Sequence, residues 1–252
     1  MTDIMPLVSI ITPAYNCSSF LMETFNSVIN QTYVNWEWII VDDCSTDKTP
    51  DIINEILSLD KRIRCFRTEQ NSGAAKSRNI GIKNANGRFI SFLDSDDLWE
   101  PNKLFVQVDF MMRNNAKFTY GNYYVLKSNG RVKKFIPTAK TSTYKSLLKK
   151  NDIGCLTVMY DASLIGKKYM PLDAEKREDY ALWLDITREN IIAIKIDCFF
   201  GTYRLLHGSI SSNKFKMLKY HWKVYRIHEK FGVFKSACFL FAYVLYKLFC
   251  KY

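Results

Sequence analysis

Residues 88–99, RFISFLDSDDLW, contain an apolar run from Phe89 to Leu93 that breaks directly into three carboxylates, Asp94, Asp96 and Asp97. A short apolar run ended by polar residues reads as a buried strand. Three ionised acids within four residues repel one another, and burying them at a strand's end is costly unless a cation neutralises them. A divalent metal meets that need. Asp-x-Asp supplies hard oxygen ligands suited to Mg²⁺ or Mn²⁺, which commonly bridge one or two protein carboxylates to phosphate oxygens. The competing reading is an acidic turn that caps the helix opening near Pro101.

Upstream, the same strand-like pattern recurs. Leu7 to Thr12, Trp36 to Val41 and Ile63 to Arg67 are short, β-rich or apolar runs bounded by turn residues, and Arg88 to Leu93 is the fourth. Between them Phe20, Leu21, Thr24, Phe25, Val28 and Ile29 repeat at helical spacing, as do Ile52, Ile53, Ile56 and Leu57 after Pro50. This alternation predicts βαβ units on a largely parallel sheet, an α/β fold whose ligands sit beyond the carboxyl ends of the strands. The polar clusters fall at that edge: Pro13 to Asn16 after the first strand, Asp42 and Asp43 after the second, the aspartates after the fourth.

Each cluster has a chemical use and a structural one. In VDDCSTD (Val41 to Asp47) one carboxylate, Asp43, suits the N3–H of a uracil ring, with Tyr15 available to pack on base or sugar, while Ser45 to Asp47 suit a helix cap before Pro50. NSGAAKSRNIG (Asn71 to Gly81) places a glycine where a helix should start and offers Lys76 and Arg78 to phosphate oxygens; it also fits a small-residue helix packed close to the sheet. In REDYALWL, Glu178 and Asp179 open an amphipathic helix, as general base candidates or as acids favoured by the helix dipole.

Composition bounds the rest. The 252 residues are 48% hydrophobic and 24% charged, which excludes disorder and allows one sizeable domain plus an appendage. A net charge of +11 implies an anionic partner. The seven cysteines are odd in number with no C-x-x-C pair, so free thiols in a reducing cytosol are expected. The N-terminus shows no basic region ahead of a long apolar stretch, so no secretory signal is read there.

VSIITPAYN (Val8 to Asn16), VDDCSTD, GAAKSRNIG, FLDSDDLW and REDYALWL occur in the order and rough spacing of family 2 glycosyltransferases of GT-A fold, and the chain resembles the bacterial enzymes of O-antigen and capsule assembly over about residues 5–212. The resemblance implies an inverting transfer from a UDP-sugar, dependent on Mn²⁺ or Mg²⁺, to an undecaprenyl-diphosphate-linked saccharide. By it, Thr12, Pro13, Tyr15 and Asp43 hold the uridine, Arg78 lies near the nucleotide, Asp94 and Ser95 face the donor, and Asp97 touches the donor sugar or orients the loop. Asp96 is the metal ligand, joined by Asp94, and Asp179 is the base with Glu178 beside it. His207, in a segment resembling a late Arg-x-x-His element, touches metal or diphosphate, or is structural; Gly208 to Ser211 suit a lid. A nucleotide-sugar half over about 1–115 and an acceptor half over about 116–212 follow, with a homo-oligomer left open and no nucleic acid partner expected.

Lys117 to Ile136 reads as a β-hairpin turning at Ser128 to Arg131, and Gly154 to Asp161 as another strand. The tail, 213–252, changes character. Phe215, Leu218, Trp222 and Tyr225 share one face of a basic helix, and Ala237 to Tyr246 is an unbroken apolar run too short to span a bilayer. A helix in the headgroup region of the cytoplasmic membrane face, or a bundle packed on the catalytic domain, both fit. Two other functions remain open. One is a nucleotide-sugar-binding relative without turnover. The other is a haloacid-dehalogenase-type phosphatase, whose nucleophile loop FLDSDDLW also resembles, although Asp97 stands where that family commonly has Thr or Val.

Overall fold

The computed structural model describes residues 5–206 and 214–249. In its first half β1 (Val8–Ala14), α1 (Leu21–Ile29), β2 (Trp36–Asp42), α2 (Thr49–Leu59), β3 (Ile63–Arg67), α3 (Ala74–Asn84) and β4 (Phe89–Phe92) alternate as the periodicity predicts. β1 lies between β2 and β4, β3 flanks β2, and all four strands run parallel. All seven residues of β2 are buried, as expected of a strand covered on both faces. Alternate residues of β1 and β2 feed two cores: Ile10, Trp38 and Ile40 pack with α1 and α2, whereas Ile11, Ile39 and Val41 pack on the face covered by α3.

The second half comprises β5 (Leu98–Trp99), α4 (Lys103–Asn114), β6 (Phe118–Lys127), β7 (Val132–Phe135), β8 (Thr141–Ser142), α5 (Tyr144–Leu147), β9 (Met159–Asp161), α6 (Ala162–Ile165), α7 (Glu178–Arg188) and β10 (Ala193–Leu205). The ten strands form one sheet, ordered β3-β2-β1-β4-β9-β6-β10-β5, with β7 on β6 and β8 on β10. β9 runs antiparallel to β4 and β6, so the sheet is mixed. The β6–β7 hairpin agrees with its prediction, but the strand expected over Gly154 to Asp161 is only Met159–Asp161. Cys155–Thr157 form a 3₁₀ turn instead, because the Thr157 hydroxyl donates to the Gly154 carbonyl at 2.7 Å and offers the backbone an alternative to the ladder.

β5 follows the aspartates and pairs with β10 through Trp99 and Gly201. A side chain at Gly201 would place Cβ 2.3 Å from the Leu98 carbonyl oxygen, so the approach that ties the aspartate loop to β10 requires glycine.

The tail forms α8 (Lys214–Lys223), a π-helical turn over Val224–His228 and α9 (Val233–Phe249). Its inward face differs from the expected one. His221, Val224 and Tyr225 are buried, while Leu218 and Trp222 are only half-buried: His221 stacks on Tyr180 and Tyr243, which turns its side of the helix inward. Val224, Tyr225, Phe239 and Leu240 join the core that contains Trp183 of α7, so the bundle arrangement is realised. No helix among the described residues is long and apolar enough to cross a membrane.

Candidate functional site

At the carboxyl ends of the parallel strands lies a cleft of about 830 Å³, bordered by the 71–73 loop and the first turn of α3, by Arg78, Asp94, Asp97, Glu178 and Asp179, and closed on its far side by Tyr243 and Lys247. Its central feature is an ionic seam. Arg78, buried on α3, donates through Nη2 to Asp94 at 2.5 Å and through Nη1 to Glu178 at 3.0 Å. Three segments far apart in sequence are thereby joined: the helix after β3, the loop after β4 and the first turn of α7. Burial disfavours the guanidinium, but Asp94 and Glu178 outweigh it and hold Arg78 well above its ordinary range.

The acids behave differently from one another. Asp94 is part-exposed and paired. Burial first, and the charge of Asp94 second, push Asp96 up to about 6. Asp97 is fully enclosed; burial and then the charges of Asp94 and Asp96 raise it well above the usual carboxylate range, while its Oδ1 accepts from the Arg204 backbone N–H at 2.9 Å. The Ser95 and Asp97 carbonyls each accept from the Thr24 hydroxyl at 3.0 Å, fixing the loop on α1. Among the described residues no group of three or more His, Cys, Asp or Glu is placed to hold a metal by protein ligands alone. Two hard carboxylates, one of them raised by burial and then by the charge of the other, nonetheless fit a divalent cation.

Asp43 organises the adjoining loop. Its Oδ1 accepts from the Thr68 hydroxyl and the Ser72 N–H, each at 2.9 Å, and its Oδ2 from the Gly73 N–H at 2.6 Å. Gly73 sits at φ 87°, a conformation suited to glycine, directly before α3. Of the other predicted residues at this edge, Tyr15 is 47% exposed and Pro13 is half-buried, but Thr12 is enclosed and its hydroxyl accepts from the Trp38 indole at 2.8 Å. Thr12, Pro13, Tyr15, Asp43, Ser95 and Asp96 are not among the described residues lining the cleft. The cap expected from Ser45 to Asp47 rests on Asp47, which accepts from the Thr49 N–H at 2.9 Å; Ser45 instead accepts from the Asn16 N–H at 3.0 Å. His207 and Gly208 to Ser211 lie outside the described residues.

Asp179 lines the cleft from α7, half-buried. Burial, then the neighbouring Glu178 charge, raise its carboxyl above the ordinary value, and its Oδ1 accepts from the Tyr180 N–H at 2.7 Å. Several contributors carried no readable signal in the sequence. Lys103 is fully enclosed, donating to the Ser91 hydroxyl at 2.7 Å, with its Nζ 3.9 Å from the Trp99 ring centroid. It supports β4 and β5 from behind the aspartates. Cys155, Tyr243 and Lys247 reach the cleft only through tertiary packing.

The family model described as Glycosyl transferase family 2 matches residues 9–168. The chain is 42% identical over 242 residues to the putative teichuronic acid biosynthesis glycosyltransferase TuaG of Bacillus subtilis, covering 95% of this chain and 96% of that one. It is 46% identical over 220 residues to the Escherichia coli UDP-Glc:alpha-D-GlcNAc-diphosphoundecaprenol beta-1,3-glucosyltransferase WfgD, covering 86% and 85%. Among solved structures, S. aureus TarS 1-349 in complex with UDP superposes with a TM-score of 0.69 at 21% identity, covering 95% of this chain and 71% of that one. The mannosyltransferase PcManGT of Pyrobaculum calidifontis, in complex with GDP-Man and Mn²⁺, does so with a TM-score of 0.71 at 14% identity, covering 96% and 73%. These two share the mixed-sheet GT-A fold. The profile, the two close relatives and the strand order agree with the site's architecture, and they displace the phosphatase reading of the aspartate loop: the chain belongs to glycosyl transferase family 2.

Proposed function

We propose that this glycosyltransferase moves a hexose, glucose or galactose, from a UDP-sugar to a hydroxyl of a GlcNAc- or GalNAc-diphosphoundecaprenol, with inversion, in the assembly of a bacterial surface polysaccharide of O-antigen type. The observation that carries this reading is the Asp94–Arg78–Glu178 seam, which brings the aspartate loop and the acids of α7 to one cleft. The 46% identity to WfgD, whose name specifies UDP-Glc and a GlcNAc-diphosphoundecaprenol, supports the substrate class.

In this reading Asp43 and Tyr15 take the uracil and ribose. Thr12 and Pro13 act by setting the backbone there, since the Thr12 hydroxyl is engaged by Trp38. Arg78 holds Asp94 beside the nucleotide, Ser95 borders the donor, and Asp97 fixes the loop to β10 through Arg204. Asp96, with Asp94, holds Mn²⁺ or Mg²⁺; such an ion supplies charge neutralisation for a departing diphosphate. Asp179 accepts the proton of the attacking hydroxyl, and Glu178, pinned by Arg78, fixes the helix turn that presents it. His207 is retained as a contact of the diphosphate. Residues 1–115 serve the donor and 116–212 the acceptor.

Residues 213–252 place the cleft at the cytoplasmic face of the membrane. Phe234, Phe241 and Leu248 lie seven residues apart on α9 and are 84%, 64% and 63% exposed, forming an apolar stripe. Between Lys214 and Phe249 eight lysines and arginines face one acid, Glu229. Such a helix suits an anionic headgroup layer. Co-sedimentation with anionic but not neutral liposomes is expected, and loss of it in Phe234→Ser/Phe241→Ser; no binding to either vesicle contradicts the placement.

The test of activity is a donor screen: full-length chain, Mn²⁺, GlcNAc- or GalNAc-diphosphoprenol and each common UDP-sugar, with UDP release as readout. Release requiring both acceptor and a UDP-hexose is expected. Nucleotide binding without release from any donor would instead identify a binding relative without turnover.

A further inference from the structure

β6 and β7 bring an aromatic pair to the cleft. Tyr123 and Phe135 stand opposite each other across the antiparallel ladder, and their rings stack at 4.5 Å between centroids and 20° between planes. Both line the cleft, so the sheet face that holds them is the one turned to the site. The 151–154 segment completes the seat of Tyr123. A side chain at Gly154 would place its Cβ 2.7 Å from the Tyr123 ring, so only glycine lets the ring sit this close. Phe135 and Gly154 together hold the ring in one position.

Its hydroxyl is treated differently from those of the core tyrosines. Tyr120 donates to the Ala139 carbonyl at 3.1 Å, Tyr180 to Leu147 at 2.9 Å and Tyr225 to Leu148 at 2.6 Å. Tyr123 is half-buried, and its hydroxyl makes no hydrogen bond among the described residues. Burial raises this phenol well above the usual tyrosine range, and Tyr203, Asp152, Asp97 and Asp179 add to the rise in that order, so it keeps its proton. Asp97 belongs to the aspartate loop and Asp179 to the first turn of α7, which places the phenol between the two groups of acids. A protonated phenol that bonds to neither is a donor without an acceptor. An anionic group there would meet the Asp179 carboxylate, whereas a neutral sugar oxygen would accept the bond without that repulsion.

We infer that Tyr123 orients the acceptor sugar, its hydroxyl donating to the oxygen beside the attacked hydroxyl, so that the attacked hydroxyl faces Asp179. The inference rests on the transfer reading above and deepens it. The bonded oxygen is not the attacking one, because a donor there would engage the lone pair that must reach the anomeric carbon. It is a neighbouring ring hydroxyl or the acetamido carbonyl, and a site built to bond such an oxygen discriminates against a sugar that lacks it. Proton transfer stays with Asp179.

The full-length chain, saturated with UDP and Mn²⁺, is titrated with GlcNAc- or GalNAc-diphosphofarnesol, whichever binds more tightly, and with its analogues lacking the acetyl group or one ring hydroxyl. The proteins are wild type, Tyr123→Phe and Gly154→Ala. Tyr123→Phe keeps the ring and removes only the donor. It should weaken acceptor binding roughly three- to tenfold, the scale of one neutral hydrogen bond, with UDP affinity held within about twofold and the urea midpoint unchanged. The analogue without the contacted oxygen should bind wild type and Tyr123→Phe alike, which a packing role would not produce. Gly154→Ala displaces the ring, should also lose acceptor affinity, and serves if Tyr123→Phe impairs folding. Acceptor binding that is absent or undiminished, an equal loss across every analogue, or a loss confined to UDP would each overturn the inference, the last by assigning the phenol to the donor. Because the readout is binding, a chain that releases no UDP but holds the acceptor through Tyr123 would sink the transfer reading and leave this contact standing.

Discussion

The two walls of the cleft treat charge in opposite ways. On the sheet side, a buried arginine is shared between Asp94 and Glu178, Asp43 accepts three hydrogen bonds from the loop after β3, and Asp97 is locked to β10. On the tail side the wall is a stack of rings, His221 held neutral by burial between Tyr243 and Tyr180, with Arg177 donating to the Tyr243 hydroxyl at 3.4 Å. The first wall is held by ion pairs and hydrogen bonds, the second by stacked rings. Preorganised groups suit the wall where charge develops during reaction.

The largest effect should follow removal of the base. Asp179→Asn is expected to lower turnover by roughly 10²- to 10⁴-fold while UDP affinity holds. Wild-type rates should fall with acid at a pH above the ordinary aspartate value of about 3.9, because burial and Glu178 raise the carboxyl that must be ionised. The variant should lack that limb. Near wild-type turnover would remove Asp179 from the chemistry.

Next comes the seam. Arg78→Met leaves Asp94 and Glu178 facing each other without their cation, and should cost on the order of 3 kcal/mol in urea unfolding. A change within about 0.5 kcal/mol would show that the walls are held together by other contacts.

The smallest effect concerns the support behind the aspartates. Lys103 is enclosed, and burial lowers its amine well below the usual lysine range. The unfolded chain therefore binds a proton that the native chain sheds, so stability attributable to this site rises with pH up to about 10.4, by at most about 1.4 kcal/mol per unit. Lys103→Met should be more stable than wild type near neutrality, with the difference shrinking as pH rises; a difference independent of pH would contradict the assignment.

The sheet-side wall was legible because its chemistry is local. A parallel strand puts functional groups at its carboxyl end, so VDDCSTD and FLDSDDLW each announce a strand, its end and its acids together. Arg78 was legible as a cation but not as a bridge, since its partners lie 16 and 100 residues away. The family resemblance assigns Thr12 to the uridine, yet strand alternation turns its hydroxyl towards Trp38. The tail-side wall depends on α9 folding back onto α7, which no spacing within either segment specifies. There, too, the buried face holds His221 and Val224 instead of Trp222, because His221 stacks on Tyr180 and Tyr243, contacts that spacing within the helix does not specify.

The central claim, inverting transfer at this cleft, is tested most directly by the configuration of the product. Wild-type chain, Mn²⁺, GlcNAc-diphosphoprenol and the UDP-hexose that supports UDP release should give a β-linked disaccharide, read from the anomeric proton coupling, since the donor bond is α. An α-linked product, or UDP release without a disaccharide, would contradict single displacement with Asp179 as base.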